Sequence, residues 1–127
     1  MSDVKSVIES GRAVLGIEFG STRIKAVLIG EDHAPIATGA HDWENMLVDG
    51  IWTYSLDMIW EGISDCYSKM AQDAKEKYGV TIKKLAAIGI SGMMHGYLPF
   101  DKEDNLLVPF RTWRNTITQE AFRRGGA

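Results

Sequence analysis

The chain has 127 residues, enough for one modest domain, and its 45% hydrophobic and 24% charged content is that of an ordinary soluble globular protein. A formal net charge of −3 excludes a general electrostatic attraction to nucleic acid or to an anionic membrane surface. The single cysteine, Cys66, excludes an internal disulfide, fits a reducing compartment and, lying on an apolar helical face, is expected to be a buried, inert thiol. No apolar run approaches the roughly 18 residues of a membrane-spanning helix. The opening MSDVKSVIES lacks the apolar core of a signal peptide, so the cytoplasm is the expected location.

In chain order, residues 1–12 read as a polar lead-in, followed by strands at about 13–20, 23–30 and 35–41. The connections between these strands are too short for crossovers, which predicts an antiparallel meander over 13–41. Residues 42–54 read as irregular, with Trp43, Trp52 and Tyr54 packing a loop onto the domain around an Asp49-Gly50 turn.

From Ser55 to Tyr78, apolar residues recur at three- and four-residue steps, from Leu56, Ile59 and Trp60 through Cys66 and Met70 to Ala74. This predicts a helix over 55–78. Ser55 suits its start, Asp57 its positive end and Lys75 and Lys77 its negative end, and Gly79 can terminate it in the left-handed conformation. The continuous apolar run Leu85–Ile90 predicts a strand buried on both faces, reached by a crossover and parallel to its neighbour. Residues 91–96, SGMMHG, leave its C-terminal end as a small-residue loop, the place where α/β sheets commonly bind ligands. Two short strands, Tyr97–Asp101 and Leu106–Phe110, flank a turn at 102–105. Thr116 with Gln119 could form a capping box that opens a further helix.

The most informative stretch is residues 15–25, Leu-Gly-Ile-Glu-Phe-Gly-Ser-Thr-Arg-Ile-Lys. Side chains alternate along a strand, so Leu15, Ile17 and Phe19 share one face while Gly16, Glu18 and Gly20 share the other. A face with one acid between two glycines is too bare to be core and suits a ligand. Gly20 permits a sharp turn, and Ser21 and Thr22 supply hydroxyls and amides of the kind that wrap phosphate oxygens. Glu18 could hold Mg²⁺ directly or through water, and Lys25 adds a mobile positive charge. The same residues also suit an ordinary β-hairpin with a polar turn, so residue type alone leaves both readings open. Neither GxxxxGK(S/T) nor GxGxxG occurs in the chain.

This stretch resembles the first phosphate motif of the actin-like ATPase and sugar-kinase superfamily, and most of all that of the FGGY carbohydrate kinases, where an aspartate usually stands at the place of Glu18. The resemblance implies an α/β, ribonuclease H-like fold, represented here by an incomplete first lobe over residues 1–127. It also implies ATP and Mg²⁺ as cofactors, with Glu18 at the metal and Gly20, Ser21, Thr22 and Lys25 at the nucleotide phosphates. The segment SGMMHG resembles Gly-Gln-Met-His-Gly of the xylulokinase-like branch, which implies that Met94 packs on a sugar and His95 hydrogen-bonds its hydroxyls. Pro109–Thr116 resembles Pro-x-x-x-Trp-Asn-Asp. Trp113 matches, whereas Arg114 and Asn115 replace the amide and carboxylate, so the implied substrate class is a pentulose or a related polyol or sugar acid, with xylulose itself a poorer match.

The reaction implied is transfer of the ATP γ-phosphoryl group to a sugar hydroxyl. The family's general base, second phosphate motif and adenosine motif have no counterpart in these 127 residues. The chain is therefore expected to be the front portion of a kinase, silent by itself, with the remainder of the kinase chain, ATP and a sugar as partners. A non-catalytic sugar-binding or regulatory module is the alternative, and an actin-like or chaperone-type ATPase ranks below both because it does not predict SGMMHG. Uncovered apolar faces and strand edges predict a homodimer in solution.

Overall fold

The computed structural model of the chain describes residues 3–93, 96–112 and 115. They form two compact units, the first made of residues up to Glu44 together with Leu56–Met93, the second of Asn45–Ser55 together with residues from 94 onward.

The first unit is a four-stranded sheet with a long helix. A short helix, α1 (Val4–Glu9), precedes β1 (Val14–Phe19), β2 (Arg23–Ile29) and β3 (Pro35–Asp42). The lead-in is thus partly helical. The Asp3 carboxylate accepts the Lys5 backbone N–H as an N-cap, and Val7 and Ile8 are buried. The strands pair antiparallel as the predicted meander, β1 with β2 and β2 with β3. The helix α2 (Leu56–Tyr78) then leads to β6 (Ala87–Ser91), which lies parallel to β1, as the crossover reading expects. The sheet order is β3-β2-β1-β6. Gly79, with φ 67°, follows the helix in the left-handed conformation.

Helix α2 lies over β2 and β3, with Cys66, Met70 and Ala74 buried beneath it. Glycine makes this approach close. A methyl group on Gly39 of β3 would sit 2.2 Å from the Cys66 carbonyl oxygen, and one on Gly62 of α2 would sit 2.4 Å from Ile24 Cδ1. Burial, with a smaller contribution from the Asp65 charge, pushes the Cys66 thiol above its ordinary pKa, in keeping with an inert role. Polar side chains of α2 also reach the edge of β3. The Thr38 N–H donates to Asp73 at 2.9 Å, and Lys69 Nζ donates to the Ala40 carbonyl at 3.3 Å while pairing with Asp65 at 2.9 Å. The outer edge of β3 is therefore partly satisfied by the helix that covers its face.

Two expectations need correction. Trp60 is 64% exposed and lies outside the apolar stripe that faces the sheet. β6 is exposed along its whole length, because it is an edge strand and α2 covers β2 and β3 instead; Ile88 and Ile90 are 57% and 71% exposed.

In the second unit, residues expected to be irregular form a hairpin of β4 (Met46–Val48) and β5 (Ile51–Thr53). Its turn, Asp49-Gly50, has φ of 49° and 76°, the two left-handed residues that suit a two-residue hairpin. The predicted pair of strands around residues 102–105 is reduced to the bridges Tyr97↔Arg111 and Phe100↔Leu106. Asp101 organises that turn by accepting the Glu103 and Asn105 backbone N–H groups, each at 2.9 Å. Tyr54 and Phe110 are buried with ring centroids 5.6 Å apart. The expected capping box and helix from Thr116 lie outside the described residues. Among the described residues no helix is long and apolar enough to cross a membrane.

Two outcomes test this packing. Gly39→Ala should destabilise the chain by about 3 kcal/mol in urea denaturation, because the obstructing atoms are helix backbone and cannot rotate away. Asp73→Asn probes the strand edge. The Thr38 N–H, and after it Lys77, hold the Asp73 carboxyl below its ordinary 3.8. The folded state thus binds this proton less tightly than the unfolded chain, so the stabilisation is present above the unfolded value and is lost as the pH falls through the lower folded one. The variant should have a lower urea midpoint at neutral pH and a shallower loss of stability in acid.

Candidate functional site

The strand register builds the site in the first unit. Across the sheet, Lys25 of β2, Glu18 of β1 and Ser91 of β6 occupy one row, since Glu18 is the Cα partner of both other residues. The next row holds Val27, Gly16 and Gly89, and the one after it Ile29, Val14 and Ala87. The polar row lies at the C-terminal ends of the parallel strands β1 and β6 and beside the Gly20–Thr22 turn. The face is open. A methyl group on Gly89 would meet nothing within 4 Å, and one on Gly16 would meet only the Val27 carbonyl at 3.9 Å. A depression of about 480 Å³ lies on it, with Glu18, Lys25 and Ser91 at one end, Gly16 and Gly89 in its floor, and the apolar side chains of Val14, Val27 and Ile29 along the rest. The opposite side of β1 is core, with Leu15 at 2% and Ile17 at 9% exposure. The predicted division of β1 into an apolar and a bare charged face is therefore present.

Glu18 and Lys25 are exposed, and neither enters an ion pair among the described residues. Both charges remain available on the same face. The described residues contain no group of three or more acidic, histidine or cysteine side chains that could cage a metal. One carboxylate on an open face instead fits a hard cation such as Mg²⁺, which keeps most of its waters and takes its other ligands from phosphate.

The turn is closed by Gly20, whose N–H donates to the Arg23 carbonyl at 2.8 Å. A side chain there would place its Cβ 2.9 Å from that carbonyl oxygen, so glycine permits the tight closure. Trp43 supports the turn from the end of β3. Its indole N–H donates to the Gly20 carbonyl at 2.8 Å and its backbone N–H to the Thr22 carbonyl at 3.0 Å. Its ring lies 6.3 Å from that of Phe19, and it is 8% exposed. From the sequence Trp43 is expected only to pack a loop, because nothing local links residue 43 to residue 20.

The structure thus brings together Glu18, Gly20, Ser21, Thr22 and Lys25, and adds Ser91. Met94, His95, Trp113 and Arg114, expected to touch a sugar, lie outside the described residues. Asn115 belongs to the second unit, where its side chain braces β5. Oδ1 accepts the Trp52 N–H at 2.7 Å, and Nδ2 donates to the Trp52 carbonyl at 2.8 Å and to the Thr112 carbonyl at 3.2 Å. Both amide donors of a residue expected at a sugar are therefore engaged by backbone.

The model of the FGGY family of carbohydrate kinases, N-terminal domain, matches residues 13–124, and the chain belongs to that family. Its fold is similar to that of a xyloylose kinase from Brucella ovis, with a TM-score of 0.73 and 22% identity over 90% of this chain and 24% of that one. It is also similar to a gluconate kinase from Lactobacillus acidophilus, with a TM-score of 0.68 and 23% identity over 89% of this chain and 23% of that one. A Plasmodium falciparum glycerol kinase with ADP gives 0.68 and 16% over 89% and 22%. The chain spans about a quarter of the length of these kinases. No curated protein was found to match it. The fold is accordingly the mixed α/β, actin-like ATPase fold of sugar kinases.

Asn115→Ala should remove both contacts to Trp52 and loosen the hairpin. Hydrogen exchange at the Trp52 amide should accelerate about tenfold, as loss of one to two net hydrogen bonds predicts. Unchanged exchange there would show that the hairpin does not depend on this amide.

Proposed function

We propose that the chain forms the phosphate-binding front of an ATP-dependent carbohydrate kinase of the xylulokinase-like branch, whose substrate is a pentulose or a related polyol. The observation that carries this reading is the row Lys25, Glu18 and Ser91 on a glycine-lined open face, beside a tight Gly-Ser-Thr turn. In it, Ser21 and Thr22 bind phosphate oxygens, Lys25 offsets phosphate charge and Glu18 holds Mg²⁺ through water. The metal would neutralise charge on the phosphates, and catalysis in this reaction class rests mainly on such positioning and neutralisation.

The sugar side of the proposal rests on segments 91–96 and 113–115. Met94 and Trp113 offer apolar surface to the C–H groups of a sugar, and His95 and Arg114 offer hydrogen-bonding groups. Asn115 contributes there by fixing the backbone of Trp52. The described site holds a single carboxylate, Glu18, which in this reading serves the metal. The base that receives the sugar hydroxyl proton is therefore to be sought elsewhere in a kinase of this family.

Calorimetric titration of the chain with MgATP tests the reading. Binding should weaken about tenfold in Glu18→Gln and in Lys25→Met, the loss expected for one charge-assisted contact. Gly89→Ala should leave the urea midpoint unchanged and still weaken MgATP binding, because its methyl group would enter the open face. Absence of MgATP binding would defeat the proposal. Binding of a ketose or polyol that is indifferent to nucleotide would favour a sugar-binding module instead.

A further inference from the structure

Trp43 touches the candidate phosphate turn at two points, and the points are carbonyl oxygens. The indole N–H holds that of Gly20 at 2.8 Å, and the backbone N–H of the same residue holds that of Thr22 at 3.0 Å. Carbonyl oxygens carry partial negative charge and repel phosphate, whereas amide N–H groups attract it. Whether a turn of three residues can receive an anion thus depends on which way its peptide planes face.

Residue 43 bears on this twice, through its main-chain N–H at Thr22 and, specific to tryptophan, through the indole N–H at Gly20. No described peptide bond is cis, and in a trans peptide the C=O and the next N–H point in opposite directions. Drawing the Gly20 carbonyl toward the indole therefore directs the Ser21 N–H away from it, and holding the Thr22 carbonyl does the same for the Arg23 N–H. The indole stands beside Phe19, on the core side of β1, while Glu18 is on the other side. The Gly20 carbonyl is drawn to the core side, so its lone pairs face away from the side that carries Glu18 and Lys25. In a simple two-residue hairpin that carbonyl would accept from the residue three positions on; here it accepts from the indole.

We propose that Trp43 is a positioning residue for nucleotide phosphate, acting through the Gly20–Thr22 turn without touching the ligand. The proposal rests on the reading of residues 18–25 as the phosphate site. Trp43 is well built for this task. It is nearly buried, its ring is held against Phe19, and it follows directly on β3, whose last residue Asp42 pairs with Arg23 at the start of β2.

Trp43→Phe keeps an aromatic ring beside Phe19 and the backbone bond to Thr22 but deletes the donor to Gly20. We expect a near-native melting temperature together with affinity for MgATP and for magnesium triphosphate reduced about three- to tenfold, the effect of one lost hydrogen bond relayed through the turn. Equal affinity in a folded variant overturns the proposal. The unaltered chain supplies a second measurement that needs no folded variant: the Trp43 indole N–H resonance should shift on saturation with magnesium triphosphate, and a resonance that stays in place overturns the proposal. If the unaltered chain binds neither probe, the phosphate reading itself falls. If it binds both while the variant and the indole are indifferent, that reading stands and only the role of Trp43 falls.

Discussion

Gly39 and Gly62 allow the backbone of α2 to settle directly onto the sheet, and this contact determines which side of the sheet is core. Side chains at either position would meet atoms of the opposing element at 2.4 Å or less. With α2 seated over β2 and β3, the residues Leu15, Ile17, Ile24, Ala26 and Leu28 are buried on that side. Everything on the alternate positions of β1 and β2 then faces the other way. The candidate site is therefore a consequence of strand alternation combined with one-sided packing. Glu18 and Lys25 need no device of their own to reach the same surface.

The parts of the fold that could be read from the sequence are those whose signal is local and periodic. The alternation in 14–19, the short connections of the meander, the helical stripe of 56–78 and the left-handed Gly79 each follow from neighbours within a turn or two. The parts that could not be read depend on partners distant in the chain. The run 85–90 is apolar enough for a strand covered on both faces, yet β6 is at the sheet edge beyond the reach of α2. Trp60 fits the helical period but falls on a flank that the sheet does not cover. The hairpin of β4 and β5 is different, because its Asp49-Gly50 signal was present and only the shortness of the three-residue strands concealed it.

The site was legible to a similar degree. Gly16, Glu18 and Gly20 announce a bare face once the strand is recognised, and Lys25 joins it through register. Ser91 enters because β6 pairs with β1 in parallel, a fact no single segment encodes. Asn115 shows the reverse. A polar residue in a loop beside an expected sugar looks free to bind, but its donors complete the hydrogen bonds of Trp52 and Thr112. Polar side chains next to short hairpins often act in this way, because two- or three-residue strands leave backbone groups that need partners.

The row structure of the open face also bears on why glutamate can stand where the family usually has aspartate. Its carboxylate lies one methylene further from the strand than an aspartate's, which in a crowded site would distort the side chain. Here the adjoining row on the same strand and on β6 is Gly16 and Gly89, and the space above Gly89 is open. The longer side chain therefore has freedom to lean along the strand and bring its carboxylate to different heights above the sheet. Lys25, its cross-strand partner, is long and flexible and can follow. The acid, the neighbouring glycines and the lysine thus share one open surface, on which the glycines leave room beside the longer acid.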